Sequence, residues 1–336
     1  MGTGVGQTRV ANPRETAPDR LRSETVLAIA VSVIGHRRRA GKAPISVSTP
    51  LIDRDALAAS AESVEPLPHT VVRLATLVAD PNSDVREITE VVSLDLSLTA
   101  DLLRRANSAA LGGRSAITTV RDAVVRLGPS TLLSLTMSSR LGGRMIQALP
   151  AYGLQAGELW GHSVAASIAA DVIRARSRAS IPAEAATAAL LHDFGKVVLA
   201  KHLGNQILDT LALAAATDGL DIVDAERVVF GLTHAEIGGS VAEVWGLPLT
   251  IVDGIRDHHD AHEDLSTVSA AVGLACVMSF EINAKESTDE ERERQAARRR
   301  AVSPVLKVLQ LDFEDYFDVV EEAHRRFDEV SERYGA

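Results

Sequence analysis

Leucine returns every fourth residue at Leu94, Leu98 and Leu102 within SLDLSLTADLLRRANSAALGG, and the run stops on Gly112-Gly113. Such spacing keeps one apolar face on a 3.6-residue helix, and the glycines end it. The same pattern continues along most of the chain. Val71, Leu74 and Val78 mark one helical face before Asp80-Pro-Asn-Ser-Asp84 supplies a stop and a fresh N-cap. Val120 to Arg126 forms a further segment broken by Leu127-Gly128-Pro129, after which an apolar stripe runs to Leu141. Aromatic residues make up only 3% of the chain, while alanine, leucine, glutamate and arginine abound. Helix is favoured nearly throughout. The expected fold is all-α, a two-part helical bundle with short connections.

At 336 residues the chain can bury a large core without staples. Residues 1–20, rich in Gly, Pro, Thr and charge, read as a disordered tail. The apolar run Thr25–Ile34 followed by His36-Arg-Arg-Arg39 is too short to span a bilayer. It reads as an element packed on the main body, or else as a basic surface-binding helix. Residues 21–63 form an N-terminal extension and linker, with Pro44 and Pro50 and a short helix at Asp53–Ser63. The main body then covers 64–330, divided into 64–149 and 156–330. Within it, 285–303 (including ESTDEERERQAARRR) reads as a charged loop or exposed helix end. Phe313, Phe317, Val320 and Phe327 predict a closing helix over Leu311–Val330.

Thirty-five Lys and Arg against 45 Asp and Glu leave a net charge of −10, which gives no global support for binding a nucleic-acid backbone. Cys276 is the one cysteine, so no intramolecular disulfide forms. With no signal-peptide core or membrane span visible, the expected location is the reducing cytoplasm. Partners are expected to be a signalling protein or a small-molecule or nucleotide ligand; the sequence leaves room for an oligomer.

Seven of the ten histidines fall between His162 and His262. His192-Asp193 follows Leu190-Leu191 at the end of an apolar helix, with Gly195 as a turn and Lys196 on the same side if the helix continues. Buried polar groups need partners. Two arrangements supply them. In one, His192 and Asp193 lock helices together by hydrogen bonds and Lys196 neutralises the carboxylate. In the other, His162, His192, Asp193, His234, His258 and His259 hold a divalent ion (Fe, Mn, Zn or Mg), with Asp193 able to bridge two ions. Lys196 and Asp193 are then the catalytic candidates of a phosphohydrolase, Lys196 facing phosphate charge. Nothing in the sequence calls for an organic cofactor.

The segments LLHDFGK at 190–196, WGHS at 160–163, THAEIGG, WGLP and IRDHH resemble the HD superfamily of metal-dependent phosphohydrolases. LPHTVVRLATLVADPNSDVREITEVVSLDLSLTADLLRRANSAALGG, with VRLGPS after it, is similar to the HDOD domain, the HD-related output domain of bacterial signalling proteins. The resemblance covers roughly Pro66 to Ile282 and implies an N-terminal helical subdomain packed on a degenerate HD-type one. It also implies a regulatory role without established general catalysis. In catalytic relatives a ligating Asp follows the double histidine on the next helix; here SAAVGLACVMSF offers Ala275 and Cys276. The Gly-Tyr-Pro element of relatives that cleave cyclic di-GMP is absent after His259, where DAHEDLSTV stands. The expected function is a signal-transduction module that binds a partner or small ligand. The alternative is a metal-dependent phosphohydrolase acting on a nucleotide or cyclic nucleotide. Trp160 and Trp245 read as core anchors before base-stacking platforms, His202 and His262 as surface residues, Cys276 as a small core side chain, and Asn107 as a helix cap.

Overall fold

The computed structural model of the protein describes residue 59 and residues 61–107, 117–202, 222–283 and 289–334. The expected N-terminal tail, the Thr25–Ile34 run and most of the linker lie outside the described residues. The described residues contain helices and no strand, only an isolated bridge between Leu149 and Leu154. The first five helices are α1 (His69–Ala79), α2 (Val85–Ser93), α3 (Leu96–Ala106), α4 (Val120–Leu127) and α5 (Pro129–Met145). A 3-10 turn at Pro150–Tyr152 leads to α6 (Glu158–Arg176), α7 (Ala185–Leu191), α8 (Phe194–His202), α9 (Ile222–Phe230) and α10 (His234–Val244). The remainder are α11 (Leu249–Arg256), α12 (Thr267–Ile282), α13 (Asp289–Ala301), α14 (Ser303–Val308) and α15 (Phe313–Tyr334).

Local chemistry sets these boundaries. Asp84 and Glu87 form a capping box on α2, and Thr233 and Glu236 form another on α10. Asp95 caps α3 through Leu98 N and also takes Arg140 and Thr70. Each such cap contributes about 1 kcal/mol. Gly128 adopts a φ of 76° at the joint between α4 and α5, where Pro129 opens the new helix. Only glycine takes that left-handed backbone without strain. Asn107 caps Leu103 O and clamps both backbone groups of Ile117.

The long helix α5 is shared by the whole molecule. It packs on α1, α3 and α4 on one side and on α6, α7 and α8 on the other. Ser130 donates to Ala183 O, and Ser134 meets Thr187 at 3.1 Å across that seam. The apolar interior is accordingly one continuous core from Leu67 to Phe327. Around α6 stand α7, α12 and α15, while α10 packs on α8 and α11. Both indoles serve this core: Trp160 lies over Gly142, and Trp245 packs on Phe194 and donates to Glu65 O. No helix among the described residues is long and apolar enough to cross a membrane.

Four local expectations change. Leu94 caps the end of α2 and is exposed, so the apolar face expected to start there starts at Leu98 within α3. The charged stretch expected as a loop or helix end is the helix α13 over residues 289–301, fastened by Arg299 to Glu281 and by Arg298 stacked 3.9 Å from the Phe280 ring centroid. In α15 the buried stripe is Tyr316, Val319, Ala323 and Phe327, whereas Phe313 and Phe317 are exposed. A 3.6-residue period through Phe327 selects that register and leaves the two earlier phenylalanines outside it. Gly195 makes no turn. The chain breaks at His192 and Asp193 themselves, between α7 and α8, and Gly195 lies at the crossing of α8 over α10. A Cβ there would sit 1.9 Å from His234 O.

Gly195→Ala must therefore force α8 and α10 apart. Overpacking of this kind costs roughly 1–3 kcal/mol or more. Urea unfolding of the variant should show that loss, and a wild-type midpoint would contradict the close approach.

Candidate metal centre

Five separate parts of the chain deliver polar side chains to one interior hollow. His162 comes from the second turn of α6, on a face otherwise made of Leu159, Ala165, Ala166 and Ala169. His192 and Asp193 occupy the break between α7 and α8, and Lys196 follows on α8. His234 is the first residue of α10, His258 and His259 follow α11, and Cys276 and Ser279 project from α12. Gly273 makes the last approach feasible, because a Cβ there would meet His258 O at 2.8 Å. The six predicted ligand residues and Lys196 all gather here. His262 is exposed, as expected, and the side chain of His202 lies outside the described residues.

The outer nitrogens of the rings decide what the inner ones can do. His192 Nδ1 donates to Ala189 O at 2.6 Å, and His258 Nδ1 donates to Ile255 O at 2.7 Å. His234 Nδ1 donates to Glu226 Oε2 at 2.7 Å. Ser279 Oγ gives its proton to Cys276 O and so accepts from His162 Nδ1 at 2.9 Å. A neutral imidazole carries one N–H, so Nε2 of His162, His192 and His258 presents a lone pair inward, and Nε2 of His234 does so only when that ring is neutral. These lone pairs face one another and a carboxylate. His162 Nε2 lies 3.1 Å from His192 Nε2, and His259 Nε2 lies 3.0 Å from His234 Nε2. Asp193 Oδ1 and His258 Nε2 are buried with no hydrogen-bond partner.

Where acceptors face acceptors, as at His162, His192 and Asp193, a cation between them satisfies both sides, whereas His259 Nε2 can donate to His234 Nε2. Two nitrogens bound tetrahedrally at about 2.05 Å stand about 3.3 Å apart, and a nitrogen and a thiolate sulfur about 3.6 Å apart. The hollow matches that spacing in two places. Asp193 Oδ2 is 3.5 Å from both His162 Nε2 and His192 Nε2, and Cys276 Sγ is 3.8 Å from His162 Nε2. Asp193 Oδ1 is 3.1 Å from His234 Nε2 and 3.9 Å from His258 Nε2, with His259 alongside. The two oxygens of one carboxylate thus face two sets of donors. The residues present fit a divalent metal.

Charge points the same way. Asp193 and Glu226 are both buried, and the Lys196 ammonium, 2.7 Å from Asp193 Oδ2, is the fixed cation beside them. Burial alone would raise the Asp193 carboxyl, but Lys196 and the surrounding imidazoles hold it well below the usual range. Burial pushes His192 and His258 down, and His162 to about 3, so these rings are neutral and able to ligate. His234 is the exception: burial lowers it, yet Glu226 and Asp193 together hold it above its ordinary value.

Sequence reasoning missed Glu226, Ser279 and Tyr152. Glu226 takes His234 N and Nδ1 on one oxygen and the Tyr152 hydroxyl on the other. A signal for it existed, since Glu226 falls within the apolar stripe Ala225, Val229 and Phe230 of α9.

The depressed imidazoles carry a pH signature in chelator-treated protein. His162, His192 and His258 stay neutral when folded and take up protons on unfolding below about pH 6.5. Their contribution is present above that pH and is lost on acidification. His234, with its raised value, acts in the opposite sense, and its contribution fades as pH rises through the folded value. Between pH 6.5 and 5 the unfolding free energy should fall by about 1.4 kcal/mol per pH unit for each proton taken up. Urea titrations giving a flat profile would exclude neutral buried rings.

Known proteins share this architecture. The HDOD domain family pattern matches residues 64–261. A protein of Treponema pallidum with no assigned role is 25% identical over 218 residues, 64% of this chain and 42% of that protein. A presumed phosphohydrolase of Shewanella amazonensis SB2B is 26% identical, with a TM-score of 0.59 over 80% of this chain and 93% of its own. A presumed signal transduction protein of Marinobacter aquaeolei VT8 superposes with a TM-score of 0.63 at 22% identity, over 94% of this chain and 66% of its own. The chain therefore spans less than half of the curated relative that it matches. Since the family pattern covers more than half of the residues present here, this chain belongs to the HDOD domain family.

Proposed function

We propose that the protein is a regulatory HDOD module whose buried centre holds divalent metal and stabilises one arrangement of α6 to α12 that a signalling partner or small ligand reads. The observation that carries this reading is enclosure. Of the six predicted ligand residues only His259 is exposed; His192, His234 and Asp193 have almost no solvent contact. Catalytic metal sites keep a position open for water or substrate, whereas structural sites are closed by protein donors. The residues that would hold metal are His162, His192 and Asp193 on one side and His234, His258, His259 and Asp193 on the other. Glu226, Ser279, Ala189 and Ile255 would orient the rings from behind.

A phosphohydrolase acting on a nucleotide or cyclic nucleotide is the second reading. Lys196 beside Asp193, the exposed edge of His259 and the likeness to the Shewanella protein favour it. A divalent ion bound there would supply Lewis acidity toward phosphate and lower the pKa of a water. Lys196 would hold phosphate charge, and Asp193 would be shared between metal and ammonium. Against this reading stands the absence of a carboxylate on α12 at Ala275 and Cys276. The net charge of −10 argues against nucleic acid as partner. A single cysteine suits a reducing cytoplasm.

Purified protein should carry metal at about stoichiometric level, and His192→Ala with Asp193→Ala should lose it. Glu226→Gln, which alters the hydrogen bonds that orient His234 and hold Tyr152, should weaken metal affinity by about 10–100-fold. Nucleotides and cyclic nucleotides with added Mn or Fe should not turn over. Metal-free wild-type protein would overturn the metal centre, and steady turnover lost with Lys196→Ala would replace the regulatory reading with the enzymatic one.

A further inference from the structure

The donor set on the His162 side contains a group of different chemistry from the rest. Cys276 is buried on α12, and its Sγ lies with His162 and His192 in one cluster whose donor atoms are all within 4.8 Å of one another. Asp193 Oδ2 reaches both of those imidazoles at 3.5 Å. The backbone is built around this placement: Ser279, one helical turn on, accepts from His162 Nδ1 and donates to Cys276 O, so one hydroxyl ties the ring and the cysteine together. Across the carboxylate, the second set is three imidazoles and one oxygen, and its Asp193 Oδ1 and His258 Nε2 are the unpartnered buried atoms aimed into the hollow.

We propose that Cys276 is a thiolate ligand in the His162, His192 and Asp193 half of the centre, which makes the two halves chemically unequal. The proposal rests on the metal reading above and goes further by naming the donor and the ion it selects. Binding releases the thiol proton to solvent, and the thiolate donates an electron pair to the cation; no oxidation occurs. Thiolate is a soft ligand that favours zinc-class ions over manganese and magnesium. The His162 half therefore takes zinc or cobalt by preference, while the three-imidazole half follows the ordinary order for nitrogen and oxygen donors.

Because Cys276 is the only cysteine, cobalt(II) reports on it directly. The full chain, stripped with chelator and titrated with cobalt(II), should gain an intense near-ultraviolet sulfur-to-cobalt charge-transfer band together with weak visible bands. Cys276→Ser should lose the charge-transfer band and keep visible bands from the other half. Cys276→Asp should also lose it while retaining more manganese than the wild type. Thermal melts of the chelated Cys276→Ser variant should match the chelated wild type, which separates ligation from folding. Cobalt bound by the wild type without a charge-transfer band would overturn thiolate ligation alone. Failure to bind cobalt at all would overturn this proposal together with the metal reading.

Discussion

A carboxylate buried among imidazoles is the constraint from which the structure of α6 to α12 follows. Asp193 is almost wholly removed from water, and an unpaired ion there would be strongly unfavourable. The chain answers with Lys196 at 2.7 Å and with rings converging from three directions. Each convergence has its own structural requirement. α10 must approach α8 closely, which Gly195 allows, and α12 must approach the end of α11, which Gly273 allows. The apolar helices around the hollow, rich in alanine, let backbones draw near enough for short polar side chains to meet.

The second layer sets what the first can do. Ala189 O, Ile255 O, Glu226 and Ser279 each engage an Nδ1, and on the neutral rings of His162, His192 and His258 this turns the Nε2 lone pairs inward. An arrangement built for mutual hydrogen bonding would alternate donors and acceptors. This one gathers acceptors around Asp193, which is what the proposed seat for a cation requires. The reading of His192 and Asp193 as a lock has its counterpart in Lys196, whose ammonium pairs with Asp193 at 2.7 Å.

Much of this was legible in the sequence because the relevant signals are local. Leu98 and Leu102 lie on the buried face of α3, and Gly128-Pro129 divides α4 from α5 as the breaker residues require. His162, His192, Asp193, His234, His258 and His259 were recognisable as polar residues on apolar segments. What the sequence did not disclose was non-local. Glu226 gains its meaning only when α9 comes against α10, and Ser279 is an ordinary small residue until His162 lies beside it. Gly195 looked like a turn because turn and close approach use the same residue for different reasons. Cys276 reads as a small core side chain and is buried; what the sequence does not show is that His162 and His192 arrive beside it from α6 and α7.

One long helix separates this hollow from the opposite side of the molecule. α7, which ends in His192, rests on α5, and α5 also forms the floor beneath α1, α3 and α4. Interiors at crystal-like density transmit displacement instead of absorbing it. Any tilt of α7 meets α5 together with α6, α11 and α12, and the far helices lie behind α5. The chain thus has a mechanical common wall, through which a chemical event on one side can be felt as a change of shape on the other.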